Sequence, residues 1–406
     1  MLAHAVEPGA LPAPAWLLTY IGAALMLGTA VALRATWLAP RHAAVEPVAP
    51  TAVAVRPGHL VGLAAYVAVV AVAIIGPDTS AANVAPWLVA VVWWVGLPIA
   101  CLILGDVVRH LNPFLPLVAL LDRGRGTDAA RGFPQWTSAA FLAAWTWYLL
   151  AYHRPGSPRA LAVFLIAYAL ASVAGGIRWG RAWLASGEAF GALSSSVARI
   201  GVRGWRSSPP VVGTAVLMLV WIGSTAFDGF TFRPFWLDVL GTSTGWARTL
   251  LNTVGLLWMV AIVAGGFLAV VRVAEQGERE ADGDRRLFGP LGRALVPLAV
   301  GWFLGHELTL LLGEGQNAYA LASDPLGRGW DLFGTYDHTV DYSITTQAWV
   351  AWTQLALIVT GHVASLVLLH ELAMERLTPR AAMRTTWAMA VLGSLSIAAA
   401  CLLVLT

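Results

Sequence analysis

Ten apolar runs of roughly membrane-spanning length recur along the chain, and this repetition constrains the fold more than any other feature. They cover 15–33, 58–76, 85–104, 136–152, 159–176, 211–227, 247–271, 294–313, 346–370 and 385–405. A helix of about 20 apolar residues crosses a bilayer core, and a soluble domain has no use for so many such stretches. Composition agrees, because only 12% of the 406 residues are charged, about half of what a soluble fold carries. The expectation is an all-α, polytopic integral membrane bundle of about ten transmembrane helices, with residues 1–406 as a single transmembrane domain. The runs 136–152 and 159–176 are short and also fit one hairpin around "HRPGSPR".

Orientation follows from arginine, since the chain contains no lysine. The segments 34–57, 105–135, 177–210, 272–293 and 371–384 hold 20 of the 25 basic residues. The positive-inside rule makes these five segments cytoplasmic and both termini extracytoplasmic. The start, "MLAHAVEPGALPAPAW", has no basic residue before its apolar run. It therefore reads as a retained first span rather than a cleaved signal. The stretch 178–206 is amphipathic and arginine-flanked, the pattern of a cytoplasmic interfacial helix. The arginines form no dense patch, so no nucleic-acid partner is expected. The partner implied is the lipid bilayer, in a bacterial inner (plasma) membrane. Cys101 and Cys401 lie singly in apolar runs and suggest neither a disulfide framework nor a thiolate metal knuckle.

Against this apolar background the tract 314–345 stands out. It holds Asp324, Asp331, Asp337, His338 and Asp341 between spans eight and nine. Its length suggests a structured extracytoplasmic loop or lid.

Ionisable groups inside spans are costly, so each is a functional candidate. His306 and Glu307 are adjacent in span eight, roughly 10 Å below the outer surface at about 1.5 Å per residue. Glu307 could carry a proton or hold a metal; the bland reading is a satisfied histidine beside a paired glutamate. Asp228 ends span six on the same side, with Arg233 as a local ion-pair alternative. His362 and His370 are eight residues apart, about 12 Å along one helix and too far to share one ion. Asp106 and His110 share a helix face, which allows a metal pair but reads better as a solvated helix end beside Arg109, and Glu188 reads as a solvated face or a partner of Arg181. The candidates for one outer cavity are His4, Asp228, His306, Glu307, Asp324, Asp331, Asp337 and His338. Histidine with carboxylate suits a transition metal such as zinc or copper.

Several of these stretches together resemble a known group. "SDPLGRGWDLFGT", the preceding "GQNAYALASDP", "GHVASL", "FDGF" and "NPF" are similar to strings in a family of uncharacterised bacterial multi-span proteins, some labelled fenitrothion hydrolase. The similarity runs over most of the chain. In that group an aromatic residue follows the histidine matching His306, where this chain has Glu307. The resemblance implies metal-dependent phosphotriester hydrolysis of a small hydrophobic substrate. Its candidate metal ligands here are His306, Asp331 and His338, with His4 reaching over from the tail and Glu307 or Asp324 as catalytic base. Two other classes stay open. Ten spans and buried ionisable groups also fit a proton-coupled transporter or channel; the other class is a non-catalytic copper- or haem-handling subunit, although His306 and His362 lie at different depths and a haem between them would need steep tilts.

Overall fold

The computed structural model describes residues 14–41, 54–121, 132, 134, 136–200, 212–279 and 287–404. Among these the chain is helical, without a β-strand. The principal helices are α1 (Ala15–Thr36), α2 (Pro57–Ile75), α3 (Val84–Leu104), α4 (Thr137–Leu150), α5 (Pro158–Trp179) and α6 (Ala189–Ala198). They continue as α7 (Val212–Phe230), α8 (Gly245–Arg279), α9 (Phe288–Leu321), α10 (Gln347–Met374) and α11 (Pro379–Val404). Eight of them (α1, α2, α3, α5, α7, α8, α9 and α10) are long and apolar enough to cross a membrane. The fourth expected span, α4, is shorter at 14 residues, and α11 covers the last expected run. The protein is a multi-pass membrane helical bundle.

The outer surface shows which solvent it meets. On α8, Leu250, Val254 and Leu257 lie on one face and are 57–64% exposed; Val163 and Leu170 of α5 are exposed to 69% and 68%. A water-soluble monomer does not present continuous stripes of this kind. Polar groups turn inward, where hydroxyls such as those of Thr146, Ser224 and Thr225 bond to carbonyls of the preceding turn.

The centre of the bundle is formed by α7 and α9, the two most enclosed spans. Glycine sets how closely α9 meets α10. A Cβ on Gly301 would lie 2.5 Å from the Leu357 carbonyl oxygen, and one on Gly361 would lie 2.7 Å from the Pro297 carbonyl. Small residues at these positions let two backbones touch, as small-xxx-small pairs do in membranes. Gly305 completes a G-x-x-x-G face and immediately precedes His306. The crossing therefore fixes the register of the two ionisable residues that follow.

Two expected boundaries move. Helix α9 does not stop near residue 313; it passes through a π-helical segment, Leu310–Glu314, and ends at Leu321. A second π-helical segment, Leu88–Trp93 in α3, packs against it. Such segments are rare and recur near functional sites. The loop expected over 314–345 thus starts at 322. The stretch 178–206 is likewise no continuous interfacial helix. A 3-10 turn, Arg181–Ala185, leads into α6, which is buried on most sides. Residues 201–206 lie outside the described residues. Glu188 does not face solvent; it caps α6, accepting from the backbone N–H of Phe190 and Gly191 at 2.9 and 2.7 Å and from the Tyr168 hydroxyl. A carboxylate at a helix N-terminus satisfies donors that nothing else there would meet.

The arginine-rich end of the bundle is tied by two further groups. His370 bridges the Thr386 hydroxyl (2.8 Å) and the Trp37 carbonyl (3.0 Å). Glu371 accepts from Trp37 Nε1 (2.7 Å) and from the Arg41 backbone N–H (2.9 Å). These bonds join α1, α10 and α11. Asp106 accepts from the Ser194 hydroxyl (2.6 Å) and the Arg109 N–H (3.1 Å), a local cap of the helix end it precedes.

Candidate metal centre in a membrane cavity

At the arginine-poor end, the connections 76–83, 151–157, 231–244 and 322–346 come together. Ser157 donates to Asp78, and Gly327 sits against Pro77. Beneath them opens a cavity of about 510 Å³. Trp94, Leu149, Leu150, Phe303 and Leu310 give it apolar walls, and Asp228 and Glu307 bring carboxylates to its lining. Arg248, His153 and Asn252 also line it.

Asp228 stands two residues before the end of α7, and His306 and Glu307 stand in α9 just ahead of its π-helical segment. The α7–α9 packing brings them together. The His306 Nε2–H donates to Asp228 Oδ2 at 2.9 Å. His306 and Glu307 are each 5% exposed. One ligand-capable atom from each of the three residues lies within 4.8 Å of the other two. Among the described residues no other set of three His, Cys, Asp or Glu side chains converges in this way. The donor set of one imidazole and two carboxylates suits a divalent transition ion. Zinc–ligand bonds of about 2.0–2.2 Å require ligand atoms a little over 3 Å apart.

The acidic tract lies elsewhere. Asp324 is buried, but its carboxylate faces its own loop, accepting from the N–H groups of Arg328 (2.8 Å) and Gly329 (2.7 Å). Burial opposes its charge, and this set of backbone donors outweighs that, holding the carboxyl below the usual range. Gly327 and Gly329, both at positive φ, supply the turn that wraps around it. Ser323 and Thr335 share a hydrogen bond at 2.6 Å and close the same loop. Asp331 is exposed and accepts from the Tyr336 N–H at 3.1 Å. His338 is exposed and bonds Gln316 Oε1 at 3.0 Å. Asp337 is exposed on the same loop. None of these four joins the trio, so Asp324 is not placed as its base, nor Asp331 and His338 as its ligands. Asp341 is held low by the Ser343 hydroxyl and N–H in the same kind of local turn. His4 lies outside the described residues.

His362 is a core histidine. Its Nδ1 meets the Ile358 carbonyl at 2.7 Å and its Nε2 the Ser396 hydroxyl at 2.9 Å, with Trp302 alongside. Both ring nitrogens are engaged, which removes it from a metal or haem set with His306.

Comparisons with family models, with curated proteins and with solved structures find no match to this chain. Function is therefore read from the site.

Proposed function

We propose that this protein is a bacterial plasma-membrane hydrolase whose divalent-metal centre, held by Asp228, His306 and Glu307, faces an extracytoplasmic cavity. The observation that carries the reading is the convergence of three ligand-capable atoms at the wall of a cavity large enough for a small organic molecule. The substrate class is a neutral, apolar ester able to enter from the bilayer side. A phosphotriester is the case to which the sequence resemblance points.

Asp228, His306 and Glu307 would hold a divalent ion, which would supply Lewis acidity and the means to make water more acidic. The chain's own part is positional. Asp228 holds the His306 ring through the 2.9 Å bond, so the imidazole is oriented before loading. Trp94, Phe303, Leu149 and Leu310 hold the apolar arms of the ester and exclude bulk water. Asp228 and Glu307, both on the lining, are the acceptors within reach of a water that enters beside the ester.

The test is metal content by plasma mass spectrometry after chelation and reloading with zinc. Wild type is expected to hold close to one ion per chain, and Asp228→Asn, His306→Ala and Glu307→Gln to lose it while keeping their helical circular dichroism. Release of nitrophenol from an aryl dialkyl phosphotriester should follow metal content across the series. A folded wild type that takes up no ion overturns the proposal.

A further inference from the structure

The same cavity carries a second set of groups that the metal reading does not use. Arg248 and Asn252 lie four residues apart on α8, on one helix face, and both line the cavity. The Arg248 guanidinium has no hydrogen bond or ion pair with any described residue. Asn252 is 94% buried, at 6% exposure. Its Oδ1 accepts from Trp236 Nε1 at 3.2 Å. An indole N–H can only donate, so the oxygen must face it and the amide NH₂ is turned away. That NH₂ donates to no described residue. Among the described residues neither the Asn252 NH₂ nor the Arg248 guanidinium has an acceptor, so side by side on the cavity wall they present donors to it.

We infer that this surface is an oxyanion subsite, and that its ligand is a phosphodiester monoanion with apolar arms. Arginine's fork takes two oxygens of one group, and the amide offers a further donor. A phosphodiester monoanion presents two anionic and two ester oxygens, against two in all for a carboxylate, so bidentate capture by the guanidinium still leaves separate oxygens for the amide. Trp94, Phe303 and Leu310 receive the arms. A phospholipid headgroup and a free dialkyl or diaryl phosphate share this chemistry. The inference deepens the hydrolase reading, since a phosphotriester yields such an anion as product, but the subsite needs no metal.

The experiment titrates full-length, metal-stripped protein in phospholipid-free dodecyl maltoside micelles with diphenyl phosphate, read by tryptophan fluorescence. Saturable binding is expected, weaker by at least tenfold in Arg248→Gln and partly kept in Arg248→Lys. Asn252→Asp retains the acceptor for Trp236 and should also weaken binding by at least tenfold, because it replaces a donor with a charge of the wrong sign. Benzoate should bind more weakly than diphenyl phosphate. Arg248 has no hydrogen-bond or ion-pair partner among the described residues to lose, so Arg248→Gln should melt and load zinc like wild type, which separates this subsite from the metal centre. Repeating the titration in phosphatidylcholine nanodiscs, whose net-neutral headgroup is itself a phosphodiester, distinguishes the sources. A lowered apparent affinity identifies the lipid phosphodiester as occupant, and an unchanged one the soluble phosphate. Equal binding by wild type, Arg248→Gln and Asn252→Asp, or a preference for benzoate, overturns the inference.

Discussion

Replacing Gly301 with alanine tests the packing that positions the site. The added Cβ would sit 2.5 Å from the Leu357 carbonyl oxygen and 2.7 Å from the Gly361 Cα. Ordinary contact begins near 3.4 Å, so α9 and α10 must part by about 0.9 Å. Both obstacles are backbone atoms, which cannot rotate aside as a side chain can. Overpacking of this kind costs on the order of 1–3 kcal/mol, roughly five- to 150-fold in the folded-to-unfolded ratio at about 1.4 kcal/mol per tenfold. The same displacement reaches His306 and Glu307, one and two residues after Gly305, and metal ligation tolerates errors of only about 0.2 Å. The assay is reversible unfolding in mixed micelles followed by tryptophan fluorescence, paired with zinc stoichiometry on the folded protein. Gly265→Ala is the control, because a Cβ there meets nothing within 4 Å. Gly301→Ala should be destabilised by that amount and should hold zinc at least tenfold more weakly; Gly265→Ala should match wild type. If the two variants behave alike, the close crossing does not position the site.

Other parts of the structure make separable predictions. Asp324→Asn should raise hydrogen exchange at the Arg328 and Gly329 amides without changing zinc content, because the carboxylate serves its own loop. Since Asp324 is held below its usual pKa in the folded loop, its stabilisation is present above about pH 4. It is lost as pH falls through the lower folded value. Protease nicking within 322–346 should therefore rise at acid pH in wild type and change less in the variant. Glu371→Ala should destabilise by roughly 1–3 kcal/mol in the same unfolding assay, since Trp37 Nε1 and the Arg41 N–H both lose their acceptor. His362→Leu should also destabilise while leaving zinc stoichiometry intact, which distinguishes a core histidine from a ligand.

The spans were legible because lipid leaves a period-free apolar run of fixed length, and such runs sit in helices throughout α1–α11. The extension of α9 to Leu321 was not, because "GEGQNAYAL" looks like a loop by polarity while its polar atoms bond locally. Gln316 Nε2 donates to the Leu312 carbonyl, and Asn317 Nδ2 to Glu314. His306 and Glu307 stood out as costly groups inside a span, and Asp228 at the end of the sixth run. What joined them was the α7–α9 packing, which no local pattern records. The acidic tract misled for a physical reason: Asp324 and Asp341 spend their charge on backbone donors within a few residues, a use that composition cannot separate from metal binding. The glycine face 301–305–361 carried its signal in G-x-x-x-G spacing. Arg248 and Asn252 carried theirs in an i, i+4 pair of donors near the start of the seventh run.

The metal centre is tested most directly by X-ray absorption at the zinc edge on reloaded protein. The account predicts a first shell that includes one imidazole nitrogen and two carboxylates at about 2.0–2.2 Å, and no bound zinc to give such a shell in His306→Ala. A shell with two or more imidazoles, or one unchanged by His306→Ala, would contradict it.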